Sequence, residues 1–169
     1  LVEVETDIAS GLPSFATVGL PQGAVREGRE RVTAALVNAG FTFPLKRITI
    51  NLAPADVPKQ GSAFDLPVAV GVLVASGQLP PDRLHNTLVL GELGLEGDLR
   101  PVRGALSIAL TARQHGLTRL VLPEANAREA AVVEGLDVLG AADLVGVCRH
   151  FDDSCELPAT RVDVPRLMA

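Results

Sequence analysis

The residues best suited to chemistry lie in one polar loop, which reads Asp56-Val57-Pro58-Lys59-Gln60-Gly61-Ser62. A lysine amine that loses its charge can take the proton of a serine hydroxyl, so Lys59 and Ser62 form a candidate Ser-Lys pair. That chemistry needs a strongly lowered lysine pKa, and therefore burial. The polar neighbours of Lys59 instead favour an exposed, charged amine.

Ser62 and Asp65 also have a spacing typical of helix capping, with Asp in place of the usual Glu. We therefore predict that Ser62 caps the apolar helix that follows. Asp65 is predicted to lie in the first turn, where a carboxylate is favoured by the helix dipole. The alternative is that Asp65 is a metal ligand or an acid.

Other chemically capable residues are scattered. Glu92 stands between apolar residues of a predicted strand and faces either a partner or solvent. The histidines do not have zinc-type spacing with one another or with the cysteines, and they are His85, His115 and His150. Cys148 and Cys155 lack the Cys-x-x-Cys spacing and are predicted to be inert or packed thiols.

The charge is distributed unevenly. The whole chain has a net charge of −5, which argues against a nucleic-acid-binding surface all round. Residues 21–61 nevertheless have a local excess of basic side chains, namely Arg26, Arg29, Arg31, Lys46, Arg47 and Lys59. These cations are either a phosphate-contacting face or an ordinary solvated face.

The elements that must position these residues alternate between strands and helices. Apolar or β-branched residues at every second position predict a strand over residues 2–8, and the next strand, 14–19, is predicted to pair with it as a hairpin. A helix then ends at Gly40, strand 47–52 follows, and the run 66–76 is apolar enough for a buried helix. Further strands are predicted at 88–93, 98–102, 119–122 and 137–139, and helices at 104–115, 125–133 and 142–151. The class is mixed α/β, or α+β, with helices packed on a mixed sheet.

Composition and absent motifs narrow the function. No apolar run reaches the roughly 18 residues of a membrane span, and no signal peptide is visible. Two cysteines favour a reduced, cytoplasmic protein, and the start at Leu1 suggests a truncated chain. No P-loop and no Gly-x-Gly-x-x-Gly occurs, and the lack of Trp and Tyr leaves little for base stacking. No metal site or cofactor is therefore expected in the chain itself.

Seven ordered strings resemble one family. They are residues 4–15, 18–21, 25–32, 48–59, 61–67, 91–93 and 97–104, including Gly61-Ser62-Ala63-Phe64-Asp65-Leu66-Pro67 and Gly97-Asp98-Leu99-Arg100-Pro101-Val102-Arg103-Gly104. Together they resemble the N-terminal domain of the bacterial Mg-chelatase-related ComM/YifB family of AAA+ ATPases. The resemblance implies a ribosomal-protein-S5-domain-2-like fold, shared with the Lon protease domain, over residues 1–151. Residues 152–169 are then a linker toward an absent AAA+ module.

The resemblance also implies a function for the full-length parent. Family members of the ComM type act as hexameric DNA helicases that promote branch migration in natural transformation. ATP and Mg are therefore expected for the parent, and the expected partners are its own AAA+ module, DNA and further copies in a homo-hexamer, without a membrane. This domain would help DNA binding or hexamer assembly.

A comparison with the Lon protease motifs implies that the domain is not itself an enzyme. The loop motif, carried by Asp56, Pro58, Lys59, Gly61, Ser62 and Asp65, places the nucleophile position at Ala63. The second motif, carried by Glu92, Arg100, Pro101 and Gly104, places the lysine position at Leu106. Two alternatives stay open: an atypical Ser-Lys peptidase using Ser62 and Lys59, and a chelatase-type partner domain.

Overall fold

The computed structural model describes residues 1–19, 21–53 and 61–162. In chain order its elements are β1 (Glu3–Ala9), β2 (Ser14–Val18), α1 (Gly23–Asn38), β3 (Arg47–Ala53), a 3₁₀ turn (Ser62–Phe64), α2 (Asp65–Ala75), β4 (Thr87–Val89), β5 (Glu92–Leu93), β6 (Leu99–Arg100), α3 (Ala105–Gln114), β7 (Arg119–Pro123), α4 (Glu124–Ala130), β8 (Asp137–Ala141) and α5 (Leu144–Phe151). The mixed α/β class predicted from the sequence is confirmed.

The first sheet has the order β1-β3-β2, so the predicted β1–β2 hairpin is wrong. Strand β3 lies between them, antiparallel to β1 and parallel to β2. Its alternate residues Ile48, Ile50 and Leu52 are completely buried. A strand with such a buried face is best placed at the centre, and the acidic outward face of β1 suits an edge, where charge discourages further pairing.

Helices α1 and α2 pack against each other, and α2 also packs against β1. The predicted central buried helix is confirmed, because Leu66, Val72 and Leu73 of α2 are fully buried. Helix α1 ends at Asn38 and is followed by Gly40 with a φ of +92°, the left-handed conformation predicted for that glycine.

The second sheet is parallel, with the order β4-β7-β8. Strands β5 and β6 form a separate antiparallel pair. The strand predicted over 88–93 is therefore divided: β4 pairs with β7, whereas β5 pairs with β6. The break falls at Gly91, whose backbone bonds to the 3₁₀ turn and α2 instead of continuing the strand.

The segment after α5 lies along β8. Ala159 forms a bridge with Leu139, and the Thr160 N–H donates to the Val138 carbonyl at 2.8 Å. None of the described helices combines the length and the apolar character needed to cross a bilayer.

Gly71 tests the contact between α2 and β1. A Cβ at this position would meet the Thr6 Oγ1 well inside contact distance, and that hydroxyl is buried without a hydrogen-bond partner in the described chain. We expect Gly71→Ala to lower the free energy of unfolding by about 1–3 kcal/mol through overpacking. Urea denaturation measures this, and adding Thr6→Ala should restore most of the loss.

The control for this prediction is Gly23→Ala at the start of α1, where an added Cβ meets nothing within 4 Å. It should leave stability unchanged or raise it by up to about 1 kcal/mol. Equal effects of the two alanines, or no recovery with Thr6→Ala, would contradict the proposed packing.

Candidate functional site

An ion pair between Arg31 and Asp65 joins α1 to the start of α2. Arg31 Nε lies 2.6 Å from Asp65 Oδ2, and Nη2 lies 3.1 Å from Oδ1, so the contact is bidentate. The Leu93 backbone N–H also donates to Oδ2 at 3.0 Å. The Asp65 side chain is only 2% exposed, so three elements meet at one buried carboxylate.

Gly28 makes this approach sterically possible. A Cβ at Gly28 would lie 2.6 Å from Asp65 Oδ1, closer than real Cβ contacts allow. The glycine lies one turn before Arg31 on α1, so the same helix face supplies both the space and the cation. Sequence reasoning missed Gly28, although a glycine inside a helical pattern is a known signal of close packing.

Burial and charge act on the pair in opposite directions. Burial raises the pKa of Asp65, while hydrogen bonds from Arg31 and the Leu93 N–H oppose that rise. The hydrogen bond to Asp65 in turn raises the pKa of the Arg31 guanidinium. Because an unpaired buried carboxylate is costly, the pair must form for these elements to pack.

The predicted side-chain capping by Ser62 and Asp65 is wrong, although Asp65 does lie in the first turn of α2 as predicted. Ser62 Oγ donates to Glu92 Oε2 at 2.8 Å, and neither Ser62 nor Asp65 caps a helix end through its side chain. The backbone supplies the cap, because the Leu66 N–H donates to the Gly91 carbonyl and the Gly91 N–H donates to the Ala63 carbonyl. These bonds satisfy the end of α2 and free Asp65 for Arg31.

Glu92 is half-buried, and its Oε2 accepts the Ser62 hydroxyl. It also lies close enough to Arg31 to raise the guanidinium pKa further.

The predicted basic residues separate into two groups. Arg31 is only 20% exposed and is occupied by Asp65, so it cannot belong to an outer basic face. Arg29, Lys46 and Arg47 are exposed. Arg29 and Lys46 line one shallow depression of about 200 Å³ that also includes Phe15 and Phe43.

Those aromatic rings give this end of the sheet an apolar floor. The Phe15 and Phe43 rings stack with centroids 6.1 Å apart. Arg47 begins β3 directly after Lys46 and pairs in register with Ser14, the residue before Phe15. Arg29 lies 3.9 Å from the exposed Glu30 carboxylate, a contact that solvent weakens. We call Arg29, Lys46 and Arg47 the basic end.

Other predicted site residues fall outside this arrangement. Asp56, Pro58 and Lys59 lie outside the described residues, as does the side chain of Arg26. Gly61 has a φ of +91°, and Gly104 precedes α3 with a φ of +74°. Arg100 is exposed and lies 3.5 Å from Asp98, and Pro101 is exposed beside it. Within the described ranges, no three His, Cys, Asp or Glu residues group closely enough to hold a metal.

The positions compared with the protease dyad are apolar and lie on different elements. Ala63, in the 3₁₀ turn, is half-buried against the core beside the second sheet. Leu106, in α3, is 38% exposed. Neither side chain has a group that could attack a carbonyl or accept a proton.

The Arg31–Asp65 pair can be tested by removing its cation. Arg31→Met leaves a buried carboxylate uncompensated, so we expect the free energy of unfolding to fall by about 3 kcal/mol. Arg29→Met, on the exposed side of the same helix, is the matched control and should change it by less than about 0.5 kcal/mol. Urea unfolding at neutral pH measures both, and similar values would contradict a structural role for Arg31.

The same variant has a predicted pH dependence. Burial already raises the pKa of Asp65 in the folded state, and Arg31→Met removes a group that lowers it. The folded variant then binds a proton more readily than the unfolded chain, so its deficit relative to the unmodified chain should shrink as pH falls. A deficit that stays constant or grows between neutral and acid pH would contradict this assignment.

Comparisons with known proteins agree with the resemblance found in the sequence. Over 158 residues the chain is 42% identical to the competence protein ComM of Haemophilus influenzae, covering 94% of this chain and 31% of that protein. Over 151 residues it is 44% identical to YifB of Escherichia coli, covering 89% and 30%. A weaker similarity, 27% over 134 residues, links it to Lon protease 2 of Bacillus subtilis, covering 79% and 22%.

The chain therefore spans about 30% of the length of the ComM and YifB relatives it matches. The family model described as subunit ChlI of Mg-chelatase matches residues 4–126, which is well over half of the chain. The chain belongs to this Mg-chelatase ChlI family.

Proposed function

We propose that the chain is a non-catalytic domain of a Mg-chelatase-like AAA+ ATPase, and that it contributes DNA binding to a ComM-type branch-migration helicase. The observation that carries this proposal is the basic end, where Arg29, Lys46 and Arg47 are exposed together. Phosphate contacts by such side chains supply most of the sequence-independent affinity for nucleic acid. ATP, Mg and a homo-hexamer belong to the full-length protein in this proposal.

The aromatic side chains beside the basic end make it better suited to single-stranded nucleic acid than a flat surface with charge alone would be. The stacked Phe15 and Phe43 lie in the same depression as Arg29 and Lys46. Aromatic side chains beside cations offer a base-stacking surface next to phosphate contacts. Arg31 is not part of the proposal because Asp65 holds it inside.

Hexamer assembly is the second candidate role. Leu12 is 88% exposed and Leu45 is 80% exposed, and both lie in the loops around the basic end. Large exposed apolar side chains close together are typical of protein contact surfaces. The AAA+ module of the same protein is the partner that this role would require.

The non-catalytic part of the proposal is supported by the apolar Ala63 and Leu106. The Ser62 hydroxyl, the remaining candidate nucleophile, already donates its hydrogen to Glu92. If the Ser-Lys alternative holds, the chain should cleave peptides and Ser62→Ala should abolish that activity. We expect no cleavage of unstructured peptide substrates above background, and Ser62-dependent cleavage would overturn the non-catalytic role. A chelatase-type role would require the chain to associate with a chelatase subunit in a pulldown.

DNA binding is tested by salt titration with single-stranded and forked DNA, followed by fluorescence anisotropy. The triple variant Arg29→Gln/Lys46→Gln/Arg47→Gln should bind more weakly, and the slope of log affinity against log salt should fall by about 0.7 for each phosphate of a single strand that is no longer neutralised. The weakening should be similar for different sequences, because phosphate contacts do not read bases.

The matched control is Arg103→Gln/Arg113→Gln/Arg128→Gln, which removes the same charge from exposed positions elsewhere. It should keep nearly the full affinity and salt slope. No binding at low salt, or equal weakening in both triple variants, would remove the DNA-contact role. Assembly would then be tested by sedimentation of the full-length protein carrying Leu12→Glu and Leu45→Glu.

A further inference from the structure

A second cavity lies beside the second sheet, far along the chain from the basic end. It has a volume of about 420 Å³ and is lined by residues from β7, β8, α5 and the segment after α5. The pairing of residues 159 and 160 with β8 holds that segment in place. One wall of the cavity is therefore formed by the second sheet, and another by the segment after α5, which pairs with β8.

His150 brings an unused hydrogen-bond donor to this cavity. Its side chain is 4% exposed, and the Leu157 backbone N–H donates to Nδ1 at 3.1 Å. An accepting Nδ1 in a neutral ring leaves the hydrogen on Nε2. Burial, followed by the charge of Arg83, lowers the pKa of His150 and favours that neutral form.

The Nε2 atom has no partner in the described chain, yet it is not among the side-chain atoms sealed from solvent. His150 lines the cavity and is otherwise buried. A ligand acceptor that enters the cavity can take the hydrogen bond of the Nε2–H in place of water.

Arg119 supplies a positive charge at the cavity. It is half-buried at the start of β7, lines the same cavity, and its guanidinium makes no hydrogen bond or ion pair within the described residues. It lies near enough to His150 to lower the pKa of the imidazole. A guanidinium with free N–H groups binds carboxylates and phosphates in a bidentate manner, through two parallel hydrogen bonds.

The other charged groups at the cavity already have partners. Arg83 donates to the His150 carbonyl at 2.7 Å, to Asp153 at 3.0 Å and to Glu156 at 2.7 Å. Asp137 lies 3.5 Å from Arg161. Arg119 is the arginine lining the cavity that has no bonded carboxylate among the described residues, and the carboxylates of Asp137 and Glu156, which line the same cavity, disfavour a doubly charged anion.

We propose that this cavity binds a small, singly charged carboxylate with an apolar body, held by Arg119 and the Nε2–H of His150. The apolar body would lie against Leu139, Leu157, Pro158 and Ala159, which line the same space. Such a group is either a free short-chain carboxylic acid or the C-terminal carboxylate of a peptide. The two sources share the same recognition chemistry.

The test is an NMR titration that follows the His150 ring and the Arg119 side chain in the 169-residue chain. Isobutyrate should give saturable shifts at both residues, and isobutyramide, which has the same shape without the charge, should not. Inorganic phosphate should bind more weakly than isobutyrate. N-acetylalanine is the peptide-like probe, and tighter binding than isobutyrate would assign the site to a chain terminus.

Arg119→Gln should weaken isobutyrate binding about tenfold or more, the factor expected when a charge-assisted hydrogen bond is removed. Arg119→Lys keeps the charge without the planar fork and should give an intermediate weakening. Arg103→Gln is the exposed control and should leave binding unchanged. Absence of saturable shifts, equal binding of isobutyramide, tighter binding of phosphate, or an unchanged affinity in Arg119→Gln would each overturn the proposal.

Discussion

The buried carboxylate of Asp65 is the constraint on which the amino-terminal half of the structure depends. A carboxylate that is 2% exposed must find a cation and further donors, and α1 and β5 lie close enough to supply them. Arg31 and the Leu93 N–H meet that need, while Gly28 gives the carboxylate room. The same carboxylate therefore links α1, α2 and β5.

That constraint also determines which cations remain available at the surface. A cation that is bound inside the fold cannot contact phosphate. Among the basic residues of 21–61, only those that face solvent can therefore do so. The same division occurs beside the second sheet, where Arg83 is bound by a carbonyl and two carboxylates while Arg119 is left unpaired among the described residues. In both halves the arginines that hold the fold are distinguished from those available to a ligand by their contacts, not by their spacing in the sequence.

Local sequence patterns correctly predicted those features of the fold that depend on interactions between neighbouring residues. The alternation in β1, the apolar run of α2 and the left-handed Gly40 each depend on a few neighbouring residues, and each is present. The order β1-β3-β2 depends instead on which strand has the more completely buried face, a comparison between distant segments. The capping assignment of Ser62 and Asp65 failed for the same reason, because Glu92 and Arg31 compete for those side chains from 30 and 34 residues away.

The backbone around Ala63 joins two parts of the fold independently of the side chain at that position. The Ala63 carbonyl accepts the Gly91 N–H, and the Gly91 carbonyl accepts the Leu66 N–H in the first turn of α2. This exchange joins the 3₁₀ turn to the segment before β5 whether or not residue 63 carries a hydroxyl. Because backbone bonds and the Arg31–Asp65 pair hold these elements together, their packing does not depend on a polar side chain at residue 63.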